Sequence, residues 1–186
     1  LQALEVDRFL SSLPAGSPLL ALAPAERCAA GQAWDWDGVR FEMLHPAAGA
    51  QERRTNNLSC VLKVSARGGA MLLTGDIERE AEAALLERDP GALRAAVLLV
   101  PHHGSRTSSS AAFIAAVSPR VALVPAGYRN RFGHPAADVL GRYADAGVPV
   151  RRTDLEGALE AHLSARGAQV EGERDRRRRY WHDAPR

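Results

Sequence analysis

Carboxylate and imidazole side chains follow three apolar runs of the sequence, at the point where each run ends. Asp76 ends MLLTGD, and His102 and His103 follow the run in LLVPHHGS. His134 lies in the loop after a third run, ALVPAG. If these runs are neighbouring strands of one sheet, the side chains converge at one edge. One carboxylate with two or three imidazoles suits a zinc-like or manganese-like divalent ion. Two ions could share Asp76 as a bridge, an arrangement used for phosphoester hydrolysis.

The same residues also have structural interpretations. Asp76 could cap the helix that follows it. The paired histidines could be ordinary loop residues, and His134 could orient the turn before its proline. The interpretation as a site rests on the conjunction, because three of the six histidines of the chain lie in two such loops.

Small hydroxyl residues and two arginines accompany the histidines. The run SRTSSS offers hydroxyls and backbone amides, which suit a phosphate beside the N-terminus of the following helix. We therefore expect Ser105, Thr107 and Ser108 to bind substrate, with helix capping as the alternative. Arg129 and Arg131 lie close before His134, where they could clamp phosphate oxygens or simply be surface charges.

The composition is that of an ordinary globular domain. The chain has 186 residues, 46% of them hydrophobic, and a net charge of +2 that by itself predicts no partner. No apolar run reaches the ~18 residues that cross a bilayer, and no signal peptide opens the chain. Cys28 and Cys60 have no metal-binding spacing, and we expect two buried free thiols rather than a disulfide. The first residues read as the middle of a helix, as in a piece cut from a larger protein.

The elements that must position the site fall into two halves. Antiparallel hairpins fill the first half, and strands alternating with helices fill the second, which predicts a mixed sheet covered by helices. We predict helices over 1–14, 77–90, 110–119 and 134–147, hairpins over 27–46 and 58–76, and strands over 17–24, 92–101 and 120–127, with two further short strands within 148–167 separated by DLEG.

Six motifs together resemble a known family. NNLSCVLKV, MLLTGDIE, LLVPHHGSRTSSS, YRNRFGHP, RRTDLEGALE and RDRRRRYWH occur in this order. They resemble the C-terminal metallo-β-lactamase-like domain of the ComEC family of DNA-uptake channel proteins. The resemblance implies an αββα sandwich of mixed α/β class and a metal-dependent phosphodiesterase-like site. It also implies a membrane-embedded parent protein that moves one DNA strand inward while this domain degrades the other.

The resemblance also assigns roles at the site. Asp76 resembles the carboxylate that bridges metals in the superfamily, and His103 is the better histidine ligand because it directly precedes the glycine. His102 is the second choice of ligand. His134 resembles a histidine that is either a ligand or a contact to phosphate. Asp76, His103 and His134 are therefore the expected catalytic set.

The chain departs from the family pattern in two places. Asn56 and Asn57 stand where many superfamily members have a histidine ligand, so Asn57 is expected to face substrate and one metal position to be weakened. The upstream His/Asp ligand motif of the family does not occur here, and the chain resembles a piece that starts just after it. We expect one or two zinc or manganese ions in the complete domain and an inactive fragment on its own.

The expected organisation is a metallo-β-lactamase-like domain over 1–173 and a basic tail over 174–186. Arg176, Arg177, Arg178 and Arg179 of the tail are expected to contact DNA from a flexible arm. The expected function is a nuclease of natural transformation, and the alternatives are a DNA-guiding module without cleavage or another hydrolase of the superfamily. The expected partners are DNA and the rest of the channel, on the periplasmic or outer face of the cytoplasmic membrane.

Overall fold

The structure, a computed structural model, describes residues 6, 8–14, 16–21, 24–51, 54–177 and 179. Its strands are β1 (Phe9–Ser11), β2 (Ala25–Arg27), β3 (Ala33–Trp36), β4 (Val39–His45), β5 (Val61–Ala66), β6 (Gly69–Leu73), β7 (Val97–Leu99), β8 (Val121–Val124), β9 (Val150–Arg152), β10 (Leu159–Ser164) and β11 (Gly167–Gly172). Its α-helices are α1 (Arg79–Arg88), α2 (Ala111–Val117), α3 (Ala137–Asp145), α4 (Thr153–Glu156) and α5 (Glu173–Arg176).

One large mixed sheet organises the chain. Strands β3 to β9 form it in sequence order, antiparallel from β3 to β6 and parallel from β6 to β9. Strands β1 and β2 pair in parallel, and β10 and β11 pair antiparallel, in two smaller sheets. The predicted mixed α/β class is confirmed. Because β6, β7 and β8 are parallel neighbours, the loops that follow them lie at the same edge of the sheet.

The hydrophobic core lies between the sheet and its helices. Leu72, Leu98 and Ala122 are in register on adjacent strands, so their side chains share one face, and all three are fully buried. Phe113 of α2 and Tyr143 of α3 belong to the same core cluster. Burial of such large side chains is the main term that stabilises the fold.

The opposite face of the large sheet is also apolar but only partly covered. Phe41, Val64 and Met71 lie in one register row, and all three are half-buried. Strand β10 contacts β6, and Arg151 of β9 donates a hydrogen bond to the carbonyl of Val170 in β11. The β10–β11 hairpin therefore lies against part of the large sheet.

A buried carboxylate on α1 binds the segment that precedes α2. Glu82 of α1 is fully buried, and its two oxygens accept hydrogen bonds from the backbone N–H groups of Ser109 and Ser110. Arg142 of α3 donates to the carbonyl of Ser109 at 2.7 Å. These contacts fix the hydroxyl-rich segment ahead of α2. Burial raises the pKa of the Glu82 carboxyl, although hydrogen bonds from Ser110 and Ser109 oppose the change.

The predictions for the first 24 residues are wrong where the structure describes them. Phe9–Ser11 is a strand that pairs with β2 rather than part of a helix. Pro18–Ala21 forms a 3-10 turn instead of a strand, since the fixed φ of proline suits the first position of a helical turn. Residues 1–5, 7, 15, 22 and 23 lie outside the described residues. Within 148–167, both predicted strands form, but in different sheets, and DLE belongs to α4.

The prediction of two free thiols is also wrong, because Cys28 and Cys60 form a disulfide. Their Cα atoms lie 5.9 Å apart, within the usual range for a disulfide. Sequence spacing did not reveal the pairing, because 32 positions separate the two cysteines and only the fold brings them together. Among the residues described here, no helix is long and apolar enough to span a membrane.

Removal of the disulfide should destabilise the domain. In the loop-entropy account, a link across 32 positions contributes about 3–4 kcal/mol by restricting the unfolded chain. We expect the double variant Cys28→Ala/Cys60→Ala to lose about that much free energy of unfolding in denaturant titrations. Reduced wild-type protein is the control and should match the variant. Equal midpoints for oxidised and reduced protein would contradict the prediction.

The buried carboxylate predicts a specific pH dependence of stability. Because the pKa of Glu82 is higher in the folded state than in the unfolded chain, its contribution to stability is fully present below the unfolded-state pKa. That contribution is lost as pH rises through the folded-state pKa. We expect the free energy of unfolding of wild type, relative to Glu82→Gln, to decrease as pH rises through the weakly acidic range. A difference that stays constant or increases with pH would rule this out.

Candidate functional site

The loop after β6, residues 74–76, holds Asp76 by close packing; we call it the aspartate loop. Buried Thr74 donates from its hydroxyl to the carbonyl of Leu99 at 2.7 Å. Gly75 has a left-handed φ of +55°, and a Cβ there would lie 2.9 Å from the Cβ of Ser59. The backbone N–H of Asp76 donates to the Ser59 hydroxyl at 3.2 Å. The local backbone therefore sets the direction of the Asp76 carboxylate.

The loop after β7, residues 101–104, is held in an unfavourable backbone conformation; we call it the histidine loop. His102 and His103 have φ of 49° and 55°, and Gly104 has φ of 78°. Left-handed conformations are costly for residues other than glycine, and they persist where surrounding structure enforces them. The N–H of His102 donates to the carbonyl of Gly75 at 3.1 Å. This bond links the histidine loop to the aspartate loop.

The glycine of the histidine loop permits contact with the segment that carries His134. A Cβ on Gly104 would lie 2.6 Å from the Cβ of Pro135, closer than packed atoms allow. The N–H of Ala136 also donates to the carbonyl of Gly104 at 2.9 Å. Any side chain at position 104 would therefore separate His134 from the paired histidines.

Asp76 and His103 meet at the edge of the sheet. The Nε2 of His103 lies 3.4 Å from the Oδ1 of Asp76, a separation that suits two tetrahedral ligands each about 2 Å from one ion. The Nδ1 of His103 is 2.8 Å from the carbonyl of Pro125. Because a carbonyl only accepts, Nδ1 carries the hydrogen, and in the neutral ring Nε2 is a lone-pair donor facing Asp76. Both side chains are about half-exposed, so a stabilising role for the pair is minor.

His102 points to other partners. Its Nδ1 lies 3.3 Å from the Thr107 hydroxyl and 3.5 Å from a carboxylate oxygen of Glu78. Its Nε2 lies 3.4 Å from the amide nitrogen of Asn56. Both ring nitrogens therefore have protein partners. The same holds for His103, so the preference for His103 over His102 as a ligand stays a prediction.

His134 is the third imidazole of the cluster. The side chain of Asn130 makes two hydrogen bonds to the backbone of His134. Its Nδ2 donates to the carbonyl of His134 at 2.6 Å, and its Oδ1 accepts from the backbone N–H of His134 at 2.9 Å. The ring centroids of His134 and His102 are 6.1 Å apart. The Nδ1 of His134 is buried and has no hydrogen-bond partner among the described residues. Burial lowers the pKa of His134, and the charges of His102 and His103 lower it further, which favours the neutral ring.

The fit to a metal ion is incomplete. Asp76 and His103 supply an oxygen and a nitrogen donor at a shared point, but within the described part of the chain no three His, Cys, Asp or Glu side chains are arranged to hold an ion. A zinc site in proteins takes at least three protein donors. The described residues therefore provide part of a site for a divalent ion and not a whole one.

Two residues predicted to bind substrate face inward in this conformation. Ser108 is fully buried, and its hydroxyl contacts the carbonyls of Pro101 and Ser105, so it stabilises the loop and cannot reach a phosphate. Asn57 is also buried, and its side-chain oxygen accepts from the N–H of Glu78 at 2.8 Å. Asn57 therefore positions the start of α1 rather than a substrate.

The other predicted contacts remain near the surface. Thr107 is exposed, and its hydroxyl donates to Glu78 at 3.1 Å, while Ser105 is buried next to it with the two hydroxyl oxygens 3.1 Å apart. Arg129 and Arg131 are exposed, and their guanidinium groups lie over the rings of the neighbouring residues in the sequence. They belong to residues 127–134, which we call the aromatic loop.

The basic tail begins with arginines that contact the domain. Arg174 donates to the carbonyl of Leu155 at 2.9 Å, and Arg176 pairs with Glu160 at 2.6 Å. Arg177 pairs with Glu173 at 3.3 Å. Arg179 is exposed, whereas Arg178 and residues 180–186 lie outside the described residues. Part of the positive charge at the start of the tail is thus shared with carboxylates.

Sequence patterns did not identify three residues that hold the site. Glu78 and Glu82 look like ordinary charges of an exposed helix, but both are buried and bind the hydroxyl-rich segment. Asn130 lies between two arginines in the motif YRNRFGHP, and its type and position give no signal of a structural role. Apolar and acidic residues alternate just before and within the start of α1. This pattern spans too few positions to indicate that Glu78 is buried.

Comparisons with known proteins give several relatives, one of them named for competence, although no family model matches the chain. The chain is 43% identical over 150 residues to competence protein ComA of Neisseria gonorrhoeae, covering 79% of this chain and 21% of that protein. It is 36% identical over 122 residues to ComE operon protein 3 of Bacillus subtilis, covering 66% and 16%. It is 34% identical over 136 residues to recombination protein 2 of Haemophilus influenzae, covering 73% and 17%.

A solved structure from Thermotoga maritima, assigned to the metallo-β-lactamase superfamily, aligns with a TM-score of 0.39 and 16% identity over 73% of this chain and 68% of that one. At that score the likeness supports no conclusion about function. The chain spans about a fifth of the length of ComA, and less of the other two relatives. The sequence comparisons therefore show that this chain is similar to one segment of much longer proteins, of which ComA is named for competence.

Proposed function

We propose that this chain is the part of a longer competence protein that acts on DNA during uptake, at a metal-dependent phosphodiester site. The observation that carries the proposal is the pair formed by Asp76 and the Nε2 of His103. The ends of two parallel strands hold a carboxylate and an imidazole next to each other, and exposed pairs of this kind contribute little to stability. The relatives named for competence support DNA as the substrate.

In this proposal, Asp76 and His103 are two ligands of a divalent ion, zinc or manganese, which needs at least one further donor. Oxygen and imidazole donors suit either metal, and a second ion could share Asp76. His134, whose ring centroid lies 6.1 Å from that of His102, is proposed as either a further ligand or a contact to phosphate. His102 is proposed to be a positioning residue, because its Nδ1 contacts Glu78 and Thr107 and these contacts hold the histidine loop in place.

Phosphate binding is proposed for the polar groups around the pair. The Thr107 hydroxyl and the guanidinium groups of Arg129 and Arg131 are exposed on the two loops that flank the imidazoles. Ser105 supports Thr107 through its hydroxyl. The reaction class that fits these groups is hydrolysis of a phosphodiester, with the DNA strand that is not transported as its substrate.

A DNA-guiding module without cleavage is the second candidate. It is favoured by one observation, the lack of a three-donor group within the described part of the chain. Asn56 and Asn57 add to it, because neutral amides are weak ligands for ions such as zinc. In this version, the same imidazoles and arginines bind the phosphate backbone and leave it intact.

The disulfide supports a location on the periplasmic or outer face of the membrane. Disulfides persist in oxidising compartments and are rare in the cytosol.

The half-buried apolar row of Phe41, Val64 and Met71 offers a surface for packing against further parts of the parent protein. Arg176, Arg177 and Arg179 of the tail are exposed, and with Arg178 they add positive charge for DNA.

The full-length parent protein provides the test of cleavage. We expect Asp76→Ala to reduce divalent-metal-dependent cleavage of labelled DNA at least about 100-fold, because loss of a ligand should cost more than loss of a residue that only orients one. Asp35→Ala is the matched control, since Asp35 is an exposed carboxylate on β3. Its cleavage rate should equal that of wild type.

Cleavage by Asp76→Ala at the wild-type rate would refute the role of this carboxylate. If the full-length wild-type protein binds DNA but cleaves none with zinc or manganese, the guiding module is the correct alternative. Circular dichroism spectra of both variants verify that the domain stays folded.

A further inference from the structure

The aromatic loop exposes two large rings beside the proposed site. Tyr128 is 54% exposed and Phe132 is 67% exposed. The guanidinium carbon of Arg129 lies 5.1 Å from the ring centroid of Tyr128, and that of Arg131 lies 4.9 Å from the ring centroid of Phe132. Both distances are within cation–π range. Cations and aromatic rings therefore alternate along this surface.

A cavity connects the ring of Phe132 with the imidazole cluster. It has a volume of about 220 Å³, and its lining includes His103, Pro125, Phe132 and His134. The rings of Phe132 and His134 are stacked, with centroids 5.9 Å apart and an angle of 18° between their planes. The cavity thus begins at the imidazole that faces Asp76 and ends at the exposed ring of Phe132.

Exposed aromatic residues are common singly, and Trp36, which is 67% exposed on the first hairpin, is such a case. The aromatic loop differs because two rings and two arginines occur within five successive positions at the mouth of a cavity. Positive charge combined with exposed rings is the arrangement by which proteins bind single-stranded nucleic acids, stacking bases on the rings. A duplex keeps its base faces stacked and offers these rings no comparable partner.

We propose that the aromatic loop binds single-stranded DNA, with unpaired bases stacked on Phe132 and Tyr128 and the adjoining phosphates contacted by Arg129 and Arg131. The inference rests on the proposed function in taking DNA as the ligand, and it adds that the strand reaching Asp76 and His103 is unpaired. Phe132 is the main stacking residue, because its ring is the more exposed one and lines the cavity.

The 186-residue chain allows a direct test without metal. Binding of a short labelled oligodeoxythymidylate is measured by fluorescence anisotropy at low salt in EDTA, next to an abasic oligonucleotide of equal length and charge. We expect Phe132→Leu to weaken binding of the thymidylate about 5- to 10-fold, because one base loses its stacking partner. Affinity for the abasic strand should not change. Phe132→Trp should restore binding, and Trp36→Leu, the control, should bind as wild type does.

Wild-type affinity of Phe132→Leu for the thymidylate would overturn the inference, and so would an equal loss for both oligonucleotides. In either case, binding by the wild-type chain would leave the proposed role in DNA uptake intact. Failure of the wild-type chain to bind either oligonucleotide would contradict the inference together with the assignment of DNA as the ligand of this chain.

Discussion

The hydrogen bond from the Nδ1 of His103 to the carbonyl of Pro125 is the interaction on which the site depends. It joins the loops after β7 and β8, and it fixes the imidazole so that Nε2 faces Asp76 after β6. This orientation requires His102 and His103 to keep an energetically unfavourable left-handed backbone conformation. Contact of Gly104 with Pro135 then adds His134 to the same edge of the sheet. One parallel half of a mixed sheet thus collects a carboxylate and three imidazoles.

The electrostatic character of the site follows from burial and spacing. Burial and two neighbouring imidazoles lower the pKa of His134, which favours the neutral form of that ring. Positive charge lies around the cluster, on exposed Arg129 and Arg131. Cations at the rim would suit a ligand that carries negative charge, as a phosphodiester does.

Local patterns predicted the elements that place Asp76 and His103, because apolar strands and turn residues act over a few positions. The hairpins, α1 to α3 and the buried strands appeared where expected. Long-range packing decided the rest. The disulfide, the inward hydroxyl of Ser108 and the burial of Glu82 all depend on contacts between segments far apart in sequence. Likewise, the sequence does not indicate that Asn57 is buried, because only the fold brings its side chain into contact with Glu78 at the start of α1.

The central proposal is that Asp76 and His103 provide two ligands of a divalent ion at the edge of the sheet, next to His134. Paramagnetic broadening by Mn²⁺ in NMR spectra of the 186-residue chain tests it most directly, since broadening depends on distance and needs no catalysis. The account predicts that the earliest signals to broaden are those of residues 74–76, 101–104 and 133–135. The imidazole of His103 should show the tautomer with hydrogen on Nδ1. Broadening that appears first at exposed carboxylates elsewhere, such as Glu160 and Glu173, or a hydrogen on the Nε2 of neutral His103, would contradict it.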